Sequence, residues 1–173
     1  LRSFFSEKWL ELFAKDFTQK DYERKKKQLA KEKKEQRKKD KETREKLKTI
    51  GQYEADAKKV FQKWVRLRDK DLPCISCGRL NTDAWDGGHF FKAELYSGLI
   101  FHEDNCHKQC KRPCNFDLHG NEANYRIGLV AKIGEERVKW LEENKDRLRV
   151  YKYSKEELIE IKKKYLLKLK ELK

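Results

Sequence analysis

All five cysteines and all four histidines of this 173-residue chain fall between Cys74 and His119. They run in the order Cys74-x2-Cys77, Asp86-Gly87-Gly88-His89, Asn105, Cys110-x3-Cys114, then Asn115 and, four residues on, His119. These residue types at these spacings suggest two different metal chemistries. Two close thiol pairs are the usual way to close a tetrahedral shell around Zn2+, because each short knuckle delivers two sulfurs to one ion at about 2.3 Å. A set of oxygen and nitrogen donors with room left over suits a reactive divalent ion instead, Mg2+ or Mn2+. For the closed site, Cys74, Cys77, Cys110 and Cys114 are the leading set. Cys106 with Cys110 is the rival second pair, which would leave Cys114 free.

For the open site, His89 is the candidate general base. A neutral imidazole takes a proton from water near pH 7, and a cation beside it offsets the charge that builds on a phosphate being hydrolysed. Asn115 and His119 stand at i and i+4, so on a helix they would share a face and hold one ion. Asp86 is the candidate carboxylate for that ion, given a bulge or turn at Gly87-Gly88 that aims it toward His89. Asn105 is expected to orient His89 or to tie its loop. A lone histidine is more often structural, and Asp86 could simply cap a turn; it is the company of the thiol pairs, Asn115 and His119 that favours chemistry. His102 and His107 are read as strand or loop residues with no part in it.

The elements that must position these groups follow from periodicity. Residues 1 to 17 carry Phe4, Phe5, Trp9, Leu12, Phe13 and Phe17 at helical steps, predicting a short amphipathic helix. From Lys20 to Lys48 basic residues outnumber acidic ones about twofold, with pairs such as Glu23 and Lys27 at i, i+4, predicting a long solvated helix. Tyr53, Ala57, Phe61, Trp64 and Val65 mark a core-facing helix, ended by Asp71-Leu72-Pro73. Residues 84–91 and 99–102 read as two antiparallel strands joined through Ser97-Gly98. Helices then follow around Tyr125 to Ile133 and Val138 to Leu141, separated by Gly134. Ser154 and Glu157 form a capping box that opens the last helix. The expected fold is α+β and mainly helical, a zinc-stabilised core at 51–173 with a basic helical extension at 1–50.

With 43% charged and 37% apolar residues, a small core needs help, and a structural metal would supply it. The net charge of +14, spread along the chain, implies a polyanionic partner, nucleic acid before an anionic membrane. No run approaches the roughly 20 apolar residues of a spanning helix, and no export signal opens the chain. An intracellular protein with thiolates on zinc rather than in disulfides is expected. Because the chain contains no methionine, it is expected to lack its native start.

Strand, loop, strand and helix carrying His89, Asn105, and Asn115 with His119 resembles the layout of the HNH, or ββα-metal, nucleases. The run Asp71-Leu-Pro-Cys-Ile-Ser-Cys-Gly, with Trp85-Asp-x-Gly-His89, Asn105, His107-Lys-Gln-Cys110, Cys114-Asn115, Gly120-Asn121 and Tyr125-Arg126, closely resembles the NinG (Rap) family of lambdoid phages over about residues 55–170. The resemblance implies a metal-dependent endonuclease acting on branched recombination intermediates, Holliday junctions and D-loops, in the cytoplasm of the bacterial host. It also extends to junction resolvases of the endonuclease VII type, with a metal-binding asparagine directly after the last cysteine, where Asn115 stands. Family members usually carry C-x2-C in place of Cys110-Lys-Arg-Pro-Cys114. Lys111, Arg112 and Arg126 are the expected DNA contacts. Symmetric cutting of two strands would call for a homodimer. The competing account is a zinc module that binds DNA without cutting it and has no need of His89 or His119.

Overall fold

The structure, a computed structural model, describes residues 7–172 and separates into two compact units, Leu1–Lys48 and Thr49–Lys173. The described residues of the first contain one helix, α1 (Glu7–Lys46), about 60 Å long at the usual rise per residue. The two helices expected at 1–17 and 20–48 are therefore continuous, since no Gly or Pro interrupts residues 7–46. Phe4 and Phe5, and the side chains of Phe13 and Phe17, lie outside the described residues. Pairs such as Asp21 with Lys25 at 3.5 Å line its surface, each worth a few tenths of a kcal/mol. Among the described side chains, Leu12, Tyr22 and Leu29 are exposed.

The second unit contains helices α2 (Ile50–Arg68), α3 (Glu122–Ile133), α4 (Glu135–Asn144) and α5 (Lys155–Glu171), with strands β1 (Trp85–His89) and β2 (Cys106–Cys110). A capping box starts α2: Thr49 Oγ1 accepts from the Gln52 N–H, and Gln52 Oε1 accepts from the Thr49 N–H at 2.9 Å. The helix ends at Arg68, three residues before Asp71. Its buried stripe, Tyr53, Ala57, Phe61, Trp64 and Val65, packs on Leu158, Tyr165 and Leu169 of α5, which opens with the Ser154–Glu157 box. Phe61 meets Tyr165 edge to face at 4.8 Å, and truncating it to Ala would cost about 3–5 kcal/mol. A second apolar cluster joins Tyr125, Leu129, Val138 and Leu141 of α3 and α4 to Ile75, Phe90, Phe91 and Leu99.

Between these clusters lies the hairpin. β1 pairs antiparallel with β2 in unbroken register, from Trp85 opposite Cys110 to His89 opposite Cys106. The second strand is thus Cys106–Cys110 and not residues 99–102, which form tight turns. Two glycines let the hairpin be covered closely. A side chain at Gly87 would stand 3.3 Å from Gln62 of α2, and one at Gly88 would overlap the side chain of Gln109. On the α3 side, the Tyr125 hydroxyl donates to the Gly88 carbonyl at 2.9 Å.

A buried ionic knot ties the elements together. The Asp69 carboxylate, only 2% exposed, accepts from Arg68 Nε and Nη2, from the Lys108 backbone N–H at 3.1 Å, and faces Lys132 Nζ at 2.8 Å. Burial would raise its pKa, but the hydrogen bonds from Arg68 and Lys132 outweigh that and hold it far below the ordinary carboxylate range. One carboxylate thus joins the end of α2, strand β2 and the end of α3. No described helix is long and apolar enough to cross a membrane.

Candidate functional site

Four sulfurs meet at the Trp85 end of the hairpin. The Sγ atoms of Cys74, Cys77, Cys110 and Cys114 all lie within 4.8 Å of one another, with Cys74 to Cys110 at 3.7 Å and Cys77 to Cys110 at 3.8 Å. A tetrahedron with metal–sulfur bonds of about 2.3 Å has edges of about 3.8 Å, and a disulfide would bring the sulfurs to about 2.05 Å, so these four residues fit a zinc-sized ion. Local structure explains the convergence. The knuckle turns at Gly78, whose φ is +69°, and Ile75 N–H binds the Lys108 carbonyl, fixing the knuckle to β2. The Cys110 N–H donates to Cys74 Sγ at 3.3 Å and Asn121 Nδ2 to Cys114 Sγ at 3.5 Å, bonds that favour thiolate. The departure at Cys110-x3-Cys114 is absorbed by an irregular turn, Lys111–Asn115, in which Arg112 is extended. Cys106 is excluded from the cluster: it sits in the α2–α5 core, where burial pushes its thiol up to about 12.

The other end of the hairpin is open. His89, Asn115 and His119 line one cleft of about 410 Å³ together with Lys58, Gln62, Lys92, Glu94 and Phe116. His89 Nε2 lies 2.9 Å from the Ile100 carbonyl oxygen. A carbonyl can only accept, so Nε2 carries the proton and Nδ1 keeps its lone pair. Burial lowers the pKa of His89, and nearby Lys58 lowers it further against the Ile100 hydrogen bond, so the ring is a neutral base at pH 7. Asn115 Nδ2 donates to Asp86 Oδ2 at 2.9 Å, which leaves the Asn115 amide oxygen free to bind a cation.

The geometry corrects several expectations. Asn115 and His119 share the cleft without sharing a helix: the segment is a chain of turns, and His119 has φ +51°. β1 has no bulge, so Asp86 does not line the cleft and meets it only through Asn115. Asn105, wholly buried, does not touch His89. Its Oδ1 accepts from the Phe91 N–H at 2.8 Å, and its Nδ2 donates to the Phe91 and Leu99 carbonyls, stitching both ends of the loop that carries Ile100. Of the two expected arrangements, Asn105 thus has the second, tying the loop that carries Ile100. Lys111 and Arg112 line a separate cleft of about 640 Å³ with Arg79 and Asp117. Arg126 is held by Glu142 and Glu135, both at 2.7 Å, and lines another cleft with Phe90, Phe91 and Lys145.

The sequence profile described as Bacteriophage Lambda NinG protein matches residues 3–173. The chain belongs to the NinG family. "Protein ninG" of Escherichia phage lambda is 40% identical over 126 residues, 73% of this chain and 60% of that protein. "Protein ninG" of Escherichia phage 933W is 40% identical over the same length, 61% of that protein, and that of Salmonella phage P22 is 38% identical. The aligned part thus spans about three-fifths of these relatives' own length. No solved structure matches the chain significantly.

Within this NinG family member, sequence reading missed Lys58, Gln62 and Lys92 as cleft residues. Lys58 and Gln62 stand at i and i+4 on α2, a spacing that could have paired them, but nothing in the sequence says which side of α2 meets β1. His107 is structural: its Nε2 donates to the Asp104 carbonyl at 3.0 Å and its Nδ1 accepts from Arg68 at 2.9 Å.

Proposed function

We propose that the chain is a metal-dependent endonuclease of HNH type that hydrolyses phosphodiesters in branched DNA. The observation that carries this reading is the state of His89: neutral, fixed at Nε2 and bearing its lone pair at Nδ1, in a cleft with Asn115 and His119. Asn115, backed by Asp86, and His119 offer the oxygen and nitrogen donors that suit Mg2+ or Mn2+. A divalent ion held there would neutralise charge on the phosphate and on the departing sugar oxygen. Water gives its proton to His89 Nδ1, its oxygen bonds to phosphorus, and the ester P–O bond breaks with its electron pair on the sugar oxygen, which takes a proton from solvent. Lys58 and Lys92 at the rim draw the phosphate backbone in. The thiolate cluster would hold Zn2+ and take no part in the reaction, because four cysteines leave no position open. Symmetric cutting of a junction needs two clefts, hence a homodimer; a monomer mass by light scattering on the junction complex would contradict that.

The test is incubation of a synthetic four-way junction with and without added Mg2+ or Mn2+, comparing the wild-type protein with His89→Ala and Asn115→Ala. Metal-dependent nicking is expected, with His89→Ala slower by at least about a hundredfold. Tight junction binding with no nicking under either metal would favour the DNA-binding zinc module.

A further inference from the structure

We propose that Phe116 is a base-stacking residue through which the cleft recognises the interrupted helix of a DNA branch. The proposal rests on the nuclease reading above and names how that site would tell a branch from plain duplex. Phe116 directly follows Asn115 and precedes His119 by three residues, so it belongs to the turn that supplies both candidate metal ligands, and it lines the same cleft. Its side chain is 61% exposed and belongs to none of the buried apolar clusters. Leu118, two residues on, is 52% exposed as well.

The ring is held ready and is not loose. The Arg112 guanidinium lies 4.7 Å from its centroid, and Arg112 is itself paired with Asp117 at 2.9 Å. Backbone bonds from Phe116 N–H to the Lys111 carbonyl, Leu118 N–H to the Pro113 carbonyl and Gly120 N–H to the Cys114 carbonyl brace the turn on the sulfur cluster. Gln109 Nε2 adds a bond to the Gly120 carbonyl at 2.7 Å. One side of the ring is occupied by Arg112, which leaves an exposed aromatic surface at the rim of a cleft.

Charge complementarity decides what would cover it. Lys58 and Lys92 outnumber Glu94 in this cleft, Arg79, Lys111 and Arg112 outnumber Asp83 and Asp117 in the other, and the chain carries a net charge of +14, so the expected occupant is a polyanion with flat apolar parts. Nucleic acid has both properties. In continuous duplex every base is already stacked on its neighbours, and Phe116 has nothing to cover. Where strands exchange at a branch, a base loses one neighbour and can stack on the ring. Aromatic stacking tolerates any base, which suits recognition of shape without sequence.

The experiment uses the full chain carrying His89→Ala, so that binding is read without cutting, and a four-way junction with 2-aminopurine at the crossover. A linear duplex of the same sequence serves as reference. Phe116 should quench the 2-aminopurine on binding; Phe116→Ala should abolish the quench and lower the junction-to-duplex affinity ratio about tenfold, while Phe116→Trp should restore both. In the protein with His89 intact, the junction-to-duplex cutting ratio should fall in parallel. An unchanged ratio and an undiminished quench in Phe116→Ala would overturn the proposal, as would a lost preference that Phe116→Trp fails to restore. If the wild-type protein cuts nothing with Mg2+ or Mn2+, the nuclease reading fails, yet the fluorescence and affinity ratios still decide the role of Phe116. Because the ring is exposed, the variants should melt with the parent, which separates lost stacking from lost fold.

Discussion

The two ends of one short hairpin are built in opposite ways. At the Trp85–Cys110 end, four sulfurs close on one another and leave no room for a substrate. Toward the His89–Cys106 end, polar groups face a cleft with donors to spare, to which the turn leaving Cys114 adds Asn115 and His119. Stability and reactivity are in tension within a small fold, because a reactive site must keep polar groups unsatisfied that a stable core would pair. Here the closed end stabilises the frame, and the regular ladder carries that rigidity to the open end. The comparison teaches that changes at the two ends should separate cleanly: those at the sulfur end should unfold the protein, and those at the imidazole end should silence a folded one.

The largest expected effect tests the sulfur end. Cys110→Ser, or exhaustive chelation, should remove about one equivalent of zinc and the cooperative melting of the second unit. Structural zinc sites contribute on the order of 10 kcal/mol to folding, against a total stability of about 5–15. Zinc analysis and thermal melting followed by near-ultraviolet circular dichroism would check this. Retention of the native melt after metal loss would break the division.

Next is the ionic knot that fastens the ladder to α2 and α3. Asp69→Ala leaves Arg68 and Lys132 without their carboxylate and the Lys108 N–H without an acceptor, and should cost about 3–5 kcal/mol in urea unfolding. At the open end, His89→Ala should keep zinc and most of the stability while losing at least about a hundredfold in cleavage. Gly88→Ala joins the two regions, because the added methyl overlaps Gln109, which also holds Gly120 behind His119. A loss of about 1–3 kcal/mol, with a slower cut in the folded fraction, is expected.

The smallest effect is a pH dependence. Burial lowers the pKa values of His89, His102 and His107, so the folded state binds fewer protons than the unfolded chain as pH falls through about 6.5. Stability should therefore be level above that value and decline below it. Cleavage should follow the depressed pKa of His89 and persist to lower pH than a free imidazole would permit. Urea midpoints and rates at matched pH values would separate the two.

How much of this was legible in the sequence depends on how local each signal is. The thiol pairs, the Ser154–Glu157 capping box and the break between α3 and α4 at Gly134 are written in adjacent residues, and the structure contains all of them. Strand β2 was hidden because Cys-His-Lys-Gln-Cys looks like a polar loop. It is buried throughout because its polar groups other than Gln109 Oε1 find partners, some far away in sequence, Lys108 Nζ on the Lys70 carbonyl and Gln109 Nε2 on Ser76. The spacing of Asn115 and His119 suggested a helix, but the extended Arg112 and the left-handed His119 make a compact turn that brings them together by another route. Asp86 could be marked as a carboxylate near the site, yet only the folded structure shows that it bonds the Asn115 amide.

The most direct measurement is single-turnover cleavage of a four-way junction by His89→Ala protein shown to hold its zinc and to melt with the wild type. The account predicts a folded, metal-loaded, junction-binding protein whose cutting is at least about a hundredfold slower than wild type with saturating Mg2+ or Mn2+. Cutting within a few-fold of wild type would contradict it, because the open end of the hairpin would then not be where the chemistry is done.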